Sequence, residues 1–347
     1  MITGHGDDIY DYSGIIKHNF SSNVFHGIQM PGLKEHLAGC MACIDHYPPA
    51  EARDLERMLS RKHRNGQEEN LVTNGATEAI YLIAQVTGRR CRSAILAPTF
   101  SEYEDACRMH GHEICHIKSL DEVTDNMQMV WFCNPNNPTG SLIPREKVVE
   151  AAFEHPRTVF VIDQSYEFFC MEELLQPREA TLAGNIIQLH SMTKKYSIPG
   201  LRLGYVTGPQ PLVQTLRGGR MPWSVNALAQ EACRYILQHE SRFDFDMQAY
   251  LAEAQRLRNA INQIGEGIEA MPTHTNFMLL RMEGEDSLVM KRKLVDRYGI
   301  LIRSAHNFVG LDRQYIRIAA QSEEENNLLI SALKELFAEK NKMPQTL

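Results

Sequence analysis

"HSMTKKYSIPGLRLGY", from His190 to Tyr205, is the stretch that decides the fold. It places Lys194, Lys195 and Arg202 directly after the apolar run "NIIQL" and around a Pro-Gly turn. Lysines and arginines are mostly exposed, so a solvated loop is the plain alternative. The neighbouring runs argue otherwise. "AILAP", "MVWFCN", "TVFVID", "NIIQLH" and "LGYVTG" are short, β-rich and apolar on both faces, and several are separated by helical stretches such as "PREKVVEAAFEHP". That pattern predicts an α/β fold with a largely parallel sheet covered on both sides. In such sheets the ligand sits outside the carboxyl ends of the strands. The two lysines therefore fall at a strand end, where chemistry is expected.

Working outward, "AEARDLERMLSRKH" puts Leu55, Met58 and Leu59 on one helical face. After about residue 240 a long polar helix leads to "TNFMLLRM", "ILIRS" and "YIRIAAQ", which read as strands of a smaller α/β unit. The first forty or so residues are expected to complete that unit. The 347 residues, 43% hydrophobic and 23% charged, suit a globular chain with a substantial core. A formal charge of -7 argues against nucleic acid as the main partner. No run approaches the roughly 20 apolar residues of a membrane span. The acidic start "MITGHGDDIYDYSG" does not read as a secretory signal, so a cytoplasmic location is expected.

Eight scattered cysteines favour reduced thiols over a disulfide framework. "CMACIDH" sets Cys40, Cys43 and His46 at a spacing that could begin a metal site. No second cluster follows with zinc-ligand spacing. The expectation is no metal, with these cysteines as small, partly buried helix residues.

Other strand ends carry polar groups. "LVTNGATEAIYLIAQ" reads as a strand, a turn through Asn74-Gly75-Ala76-Thr77, and a helix. Gly75 lets the backbone turn tightly, and the free amides of the helix start form an anion site. "FCNPNNPTG" places Asn134, Asn136 and Asn137 after another strand, with Pro135 and Pro138 fixing the loop. "VIDQSY" closes a strand on Asp163, with Tyr166 just beyond. A carboxylate there is costly unless it meets a cation or a donor, and a helix cap is the bland alternative. A lysine desolvated at a strand end can have its pKa lowered and condense with a carbonyl. Ser191 and Arg202 could hold a phosphate, the arginine by a bidentate contact. A phosphate cradle, an acid, a phenol and an amine at successive strand ends suit pyridoxal phosphate. Asp163 would keep the pyridine nitrogen protonated. Asn137 and Tyr166 would bond the ring 3-oxygen, and Lys194 would carry the aldehyde.

The segments "NPNNPTG", "SMTKKYSIPGLRLGY", "MPWSVNALA", "ILIRSAHNFVGLDRQYIRIA" and "GHGDD" carry a resemblance. The chain resembles the fold-type I pyridoxal-phosphate enzymes of the aspartate-aminotransferase superfamily. Over nearly its whole length it is similar to the threonine-phosphate decarboxylases of cobalamin synthesis, with histidinol-phosphate aminotransferases as near relatives. The resemblance implies a seven-stranded, largely parallel sheet in a large cofactor-binding domain over 42–240. A small domain would be formed by 1–41 and 241–347. It implies Lys194, not Lys195, as the cofactor lysine, because Ser191 stands three before it and Arg202 eight after. Gly75, Ala76 and Thr77 match the cofactor-phosphate site together with Ser191 and Arg202. Phe100 in "APTFSEY" matches the aromatic over the pyridine ring.

Tyr47 in "DHYPPAE" matches a tyrosine that reaches the partner subunit's cofactor phosphate, which implies a homodimer with shared sites. Arg317 and Arg303 match arginines that hold substrate anions, and His5 and Asn23 match N-terminal substrate contacts. The expected reaction is decarboxylation of a small phosphorylated amino acid, L-threonine O-3-phosphate, with transamination of histidinol phosphate as the alternative. Three places depart from the pattern. Gln164 follows the aspartate where an acid is usual. "SSNVFHG" lacks an Asn-Pro after Asn23. Ala320-Gln321-Ser322 replaces a final Ile-Arg-Ser.

Overall fold

The computed structural model describes residues 6–12, 14–25, 32–243 and 245–342. Its strands among the described residues, in chain order, are β1 (His18–Asn19), β2 (Asn70–Thr73), β3 (Arg92–Leu96), β4 (Glu113–Ile117) and β5 (Met129–Cys133). They continue with β6 (Val159–Asp163), β7 (Ile186–Ser191), β8 (Gly204–Thr207), β9 (Ile268–Ala270) and β10 (Phe277–Met282). Last come β11 (Ile300–Leu301), β12 (Arg303–Ser304) and β13 (Tyr315–Ala319).

A seven-stranded sheet runs in the order β2-β8-β7-β6-β5-β3-β4. All neighbours pair in parallel except those of β8, which is antiparallel to both β2 and β7. The α/β expectation and the largely parallel sheet hold. Strands β2, β5 and β7 are buried along their whole length, as expected where helices cover both faces. Trp131 and Phe160 fill the two sides of the central strands without solvent contact. The side-chain amide of Gln188 in β7 is buried, and its nitrogen finds acceptors. Gln188 Nε2 donates to Gln164 Oε1 at 2.5 Å and to Leu175 O at 2.7 Å. Gln164 also donates its Nε2 to Leu175 O at 3.3 Å, a bond that an ionised acid at this position could not make.

Strand β4, "EICHI", does not stand out in the sequence because it is an edge strand with a mostly exposed pattern. The expected strand "ILIRS" is broken at the buried Ile302. Its first half, β11, pairs in parallel with β1, while β12 joins β13. Strands β12-β13-β10-β9 form an antiparallel sheet. The helices Met247–Asn262 and Glu323–Lys342 supply Leu257, Ile261, Leu329 and Leu333 to its core. Phe20 is buried in that same core, which ties the N-terminal segment to it. Leu33 instead packs with Leu55 and Tyr196 beside the large sheet.

Candidate active site

Register brings the strand ends to one edge. Cys133 is opposite Asp163 across β5 and β6. Ser191 and Thr73 both stand opposite Gly204. Because β8 runs antiparallel, its starting end lies at this edge, and Arg202, two residues earlier, arrives there too. A cavity of about 230 Å³ opens at this edge.

The anion cradle is built from the start of the helix Gly75–Thr87. Ala76, Thr77, Ser191 and Arg202 all line the cavity. Gly75 has φ 77°, and a Cβ there would stand 2.8 Å from Arg202 Nη2. At Gly204 a Cβ would meet Ala76 N at 2.7 Å. Two glycines thus let β8 and the helix start close up around the guanidinium. Thr193, overlooked in the sequence, also lines the cavity, and its Oγ1 is buried without a partner among the described residues. Its position between Ser191 and Lys194 was the available signal.

Asp163 closes β6 and is buried. Its Oδ1 accepts from Ser165 N at 2.9 Å and its Oδ2 from Tyr103 Oη at 2.8 Å. These two donors are what a carboxylate needs at the end of an apolar strand. Tyr103 carries no signal in the sequence. It lies in the helix Glu102–Met109, stacks on Trp131 at 5.9 Å, and reads locally as an ordinary core aromatic. Phe100 lines the cavity with its ring edge-on to Tyr103 at 5.8 Å.

Tyr166 Oη accepts from Asn23 Nδ2 at 3.2 Å, and burial pushes the phenol pKa up, so it stays a donor. Asn137 Oδ1 accepts from Arg317 Nη1 at 2.6 Å. Arg317 Nη2 donates to Ser21 O, also at 2.6 Å. Burial lowers the Arg317 pKa to about 10, so the cation persists at neutral pH. Arg317 Nε and Asn23 Oδ1 are buried without partners among the described residues. Buried polar atoms of that kind, clustered on one cavity, mark places for a ligand.

Lys194 reaches into the cavity, with Nζ 5.7 Å from the centre of the Tyr166 ring. The residue is half-buried at the cavity wall. Burial, then the cations Arg317 and Arg202, lower its pKa to about 8 against the opposing pull of Asp163. At pH 7 about one such amine in ten is neutral, against fewer than about one in a thousand for an ordinary lysine. Lys195 points elsewhere, over the rings of Phe168 and Tyr196 at 4.5 and 5.3 Å. The structure separates the two adjacent lysines.

Other expected residues are not brought into this wall. Arg303 stands opposite Arg317 across β12 and β13, so both side chains start from one face of the sheet. Its guanidinium is bonded to Ser304 O and to Asn307 Oδ1. Tyr47 is 85% exposed and leans on Trp223 at 5.4 Å, outside the cavity. His5 lies outside the described residues. Asp7, by contrast, lines the cavity without having been anticipated. Its left-handed φ of 67° is held by Asn19 Nδ2, which donates to Oδ1 at 2.6 Å, and by its own amide, which donates to Ser21 Oγ at 3.1 Å.

Comparison with known proteins agrees with this geometry. The profile of aminotransferase class I and II matches residues 15–333. The chain is similar to the threonine-phosphate decarboxylase of Salmonella typhimurium, 32% identical over 92% of this chain and 91% of that protein. It is also similar to the histidinol-phosphate aminotransferase of Desulfitobacterium hafniense, 29% identical over 88% of each. The crystal structure of L-threonine-O-3-phosphate decarboxylase from Porphyromonas gingivalis superposes with a TM-score of 0.90. It is 38% identical and covers 93% of this chain and 100% of its own.

Proposed function

Since the chain belongs to the aminotransferase class I and II family, we propose that it holds pyridoxal 5'-phosphate in this cavity and decarboxylates L-threonine O-3-phosphate. The product would be (R)-1-amino-2-propanol O-2-phosphate, a step of cobalamin biosynthesis. What carries the reading is one cavity lined by Lys194, Asp163 and an anion cradle. The residues present fit the cofactor. Ala76, Thr77, Ser191, Thr193 and Arg202 would hold its phosphate, and Phe100 would cover its ring. Asp163 would face its ring nitrogen, and Asn137 and Tyr166 would face its 3-oxygen. When bound, the cofactor supplies an electron sink for the carbon from which a bond has broken.

The chain's own groups do the rest. Asp163, fixed by Tyr103 and Ser165, is a preorganised counter-charge for a protonated ring nitrogen. Lys194 is nucleophile towards a carbonyl and, once released, a carrier that can return a proton to Cα. Arg317 is the cation we assign to a substrate anion. Both its Nη groups are held by Asn137 and Ser21. Each Nη keeps a second N–H and Nε is without a partner among the described residues, so the guanidinium can grip the substrate phosphate and leave the α-carboxylate out of the cofactor-ring plane. A carboxylate not held in that plane is free to stand perpendicular to it. Arg303 adds a second cation for the substrate phosphate.

We also assign two domains, a large one over 42–240 that carries the seven-stranded sheet and a smaller one from 1–41 and 241–347, with Leu33 packing against the large one. Exposed Tyr47, Trp223, Met221 and Ile44 support a homodimer in which Tyr47 serves the partner's site. Among the described residues, no helix is long and apolar enough to cross a membrane, and we place the enzyme in the cytoplasm. The test is a product assay. Turnover of O-phospho-L-threonine with release of carbon dioxide supports the proposal. Conversion of histidinol phosphate with a 2-oxo acid, and none of phosphothreonine, replaces it with the aminotransferase reading.

A further inference from the structure

We propose that His36, Cys40 and Glu231 form a site for one borderline-soft divalent cation of the zinc type, separate from the cavity. His36 and Cys40 lie one turn apart at the end of the helix Leu33–Gly39, and Glu231 lies in the helix Ala227–Gln238. Their donor atoms fall within 4.8 Å of one another. His36 Nε2 is 3.6 Å from Cys40 Sγ and 3.8 Å from Glu231 Oε2.

The spacing is informative. A separation of 3.8 Å is too long for an N–H···O hydrogen bond. Bonds of about 2.3 Å to sulfur and about 2.0 to 2.1 Å to nitrogen or oxygen, at tetrahedral angles, set neighbouring ligand atoms about 3.3 to 3.6 Å apart. The two separations from His36 match this spacing within a few tenths of an ångström, and Cys40 and Glu231 lie within 4.8 Å of each other. Sulfur, imidazole and carboxylate together favour zinc or cobalt over magnesium or calcium.

The surroundings orient these donors as outer-shell partners do at metal sites. The His36 ring stacks on Tyr235 at 4.6 Å. Arg234 holds the other carboxylate oxygen of Glu231 and also Asp54. A water can complete the shell. All three donors are partly exposed, which gives the ion a path in. His46, grouped with the cysteines by sequence spacing, is exposed and lies outside this cluster. The pairing was invisible in sequence because Glu231 is supplied by a distant helix. A bound ion would join the two helices.

The experiment is equilibrium dialysis of the cofactor-loaded full chain against Co²⁺ and then Zn²⁺. We expect one Co²⁺ per chain, with ligand-field absorption to the red of the cofactor and displacement by Zn²⁺. Cys40→Ser, His36→Gln and Glu231→Gln should each weaken binding by more than about tenfold. Cys115→Ser, which alters an exposed thiol elsewhere, should leave it unchanged. An unaltered cofactor spectrum in each variant shows that the fold is intact. Failure of the wild type to bind Co²⁺, or binding that survives any of the three ligand substitutions, overturns the site.

Discussion

Tyr103 donates a 2.8 Å hydrogen bond to Asp163 Oδ2 from a position almost wholly buried against Trp131. The bond joins a core aromatic to the acid at the cavity floor. Tyr103→Phe leaves a buried carboxylate oxygen one donor short, a loss of about 1 to 3 kcal/mol. We expect a lower Tm, a kcat reduced by about tenfold or more, and a displaced pH dependence of the cofactor's visible absorption. A purely structural role would lower Tm and leave that absorption profile where it was.

Gly75 supplies a sharper test of the anion cradle. Its φ is 77°, and a Cβ added there would come within 2.8 Å of Arg202 Nη2. Arginine tips move easily, so Gly75→Ala should fold, at a cost of about 1 to 2 kcal/mol from the left-handed backbone. The displaced guanidinium should weaken cofactor phosphate binding by about tenfold, read as the Kd of the reconstituted enzyme. An unchanged Kd would remove Arg202 from the cradle.

The fold was legible because β5 and β6 are almost wholly apolar and β7 opens on an apolar run, with helices between them. Edge strand β4 was not, since its exposed pattern resembles a loop. Lys194, Asp163 and Tyr166 were legible as polar groups at strand ends. Tyr103 and Thr193 were not, because a core tyrosine and a helix threonine look ordinary until the partner atom is seen. Arg303 was legible through its motif, but its bonds to Ser304 and Asn307 were not.

The amine of Lys194 gives a pH prediction. Its pKa in the folded chain is about 8, below the ordinary 10.5. The ammonium is therefore disfavoured by folding. That penalty is full below pH 8 and fades as pH rises towards the unfolded value. In the cofactor-free protein, Lys194→Met should raise Tm at pH 7, and the gap should close towards pH 10. The rate at which wild-type apoprotein takes up cofactor should rise as pH passes through 8. A Tm gap independent of pH would contradict the buried-amine account.

Tyr47 predicts complementation. Tyr47→Phe and Lys194→Ala homodimers should each be impaired. Mixed dimers should recover part of the activity, because one of their sites has both residues. A fully active monomer by light scattering would exclude shared sites.

The central claim is that this cavity carries its cofactor on Lys194 and not on its neighbour. Borohydride reduction of the cofactor-loaded enzyme followed by peptide mapping reads that directly. The predicted result is one pyridoxyl group per chain on Lys194, lost in Lys194→Ala and retained in Lys195→Ala. A pyridoxyl group on Lys195, or none on this peptide, would contradict the account.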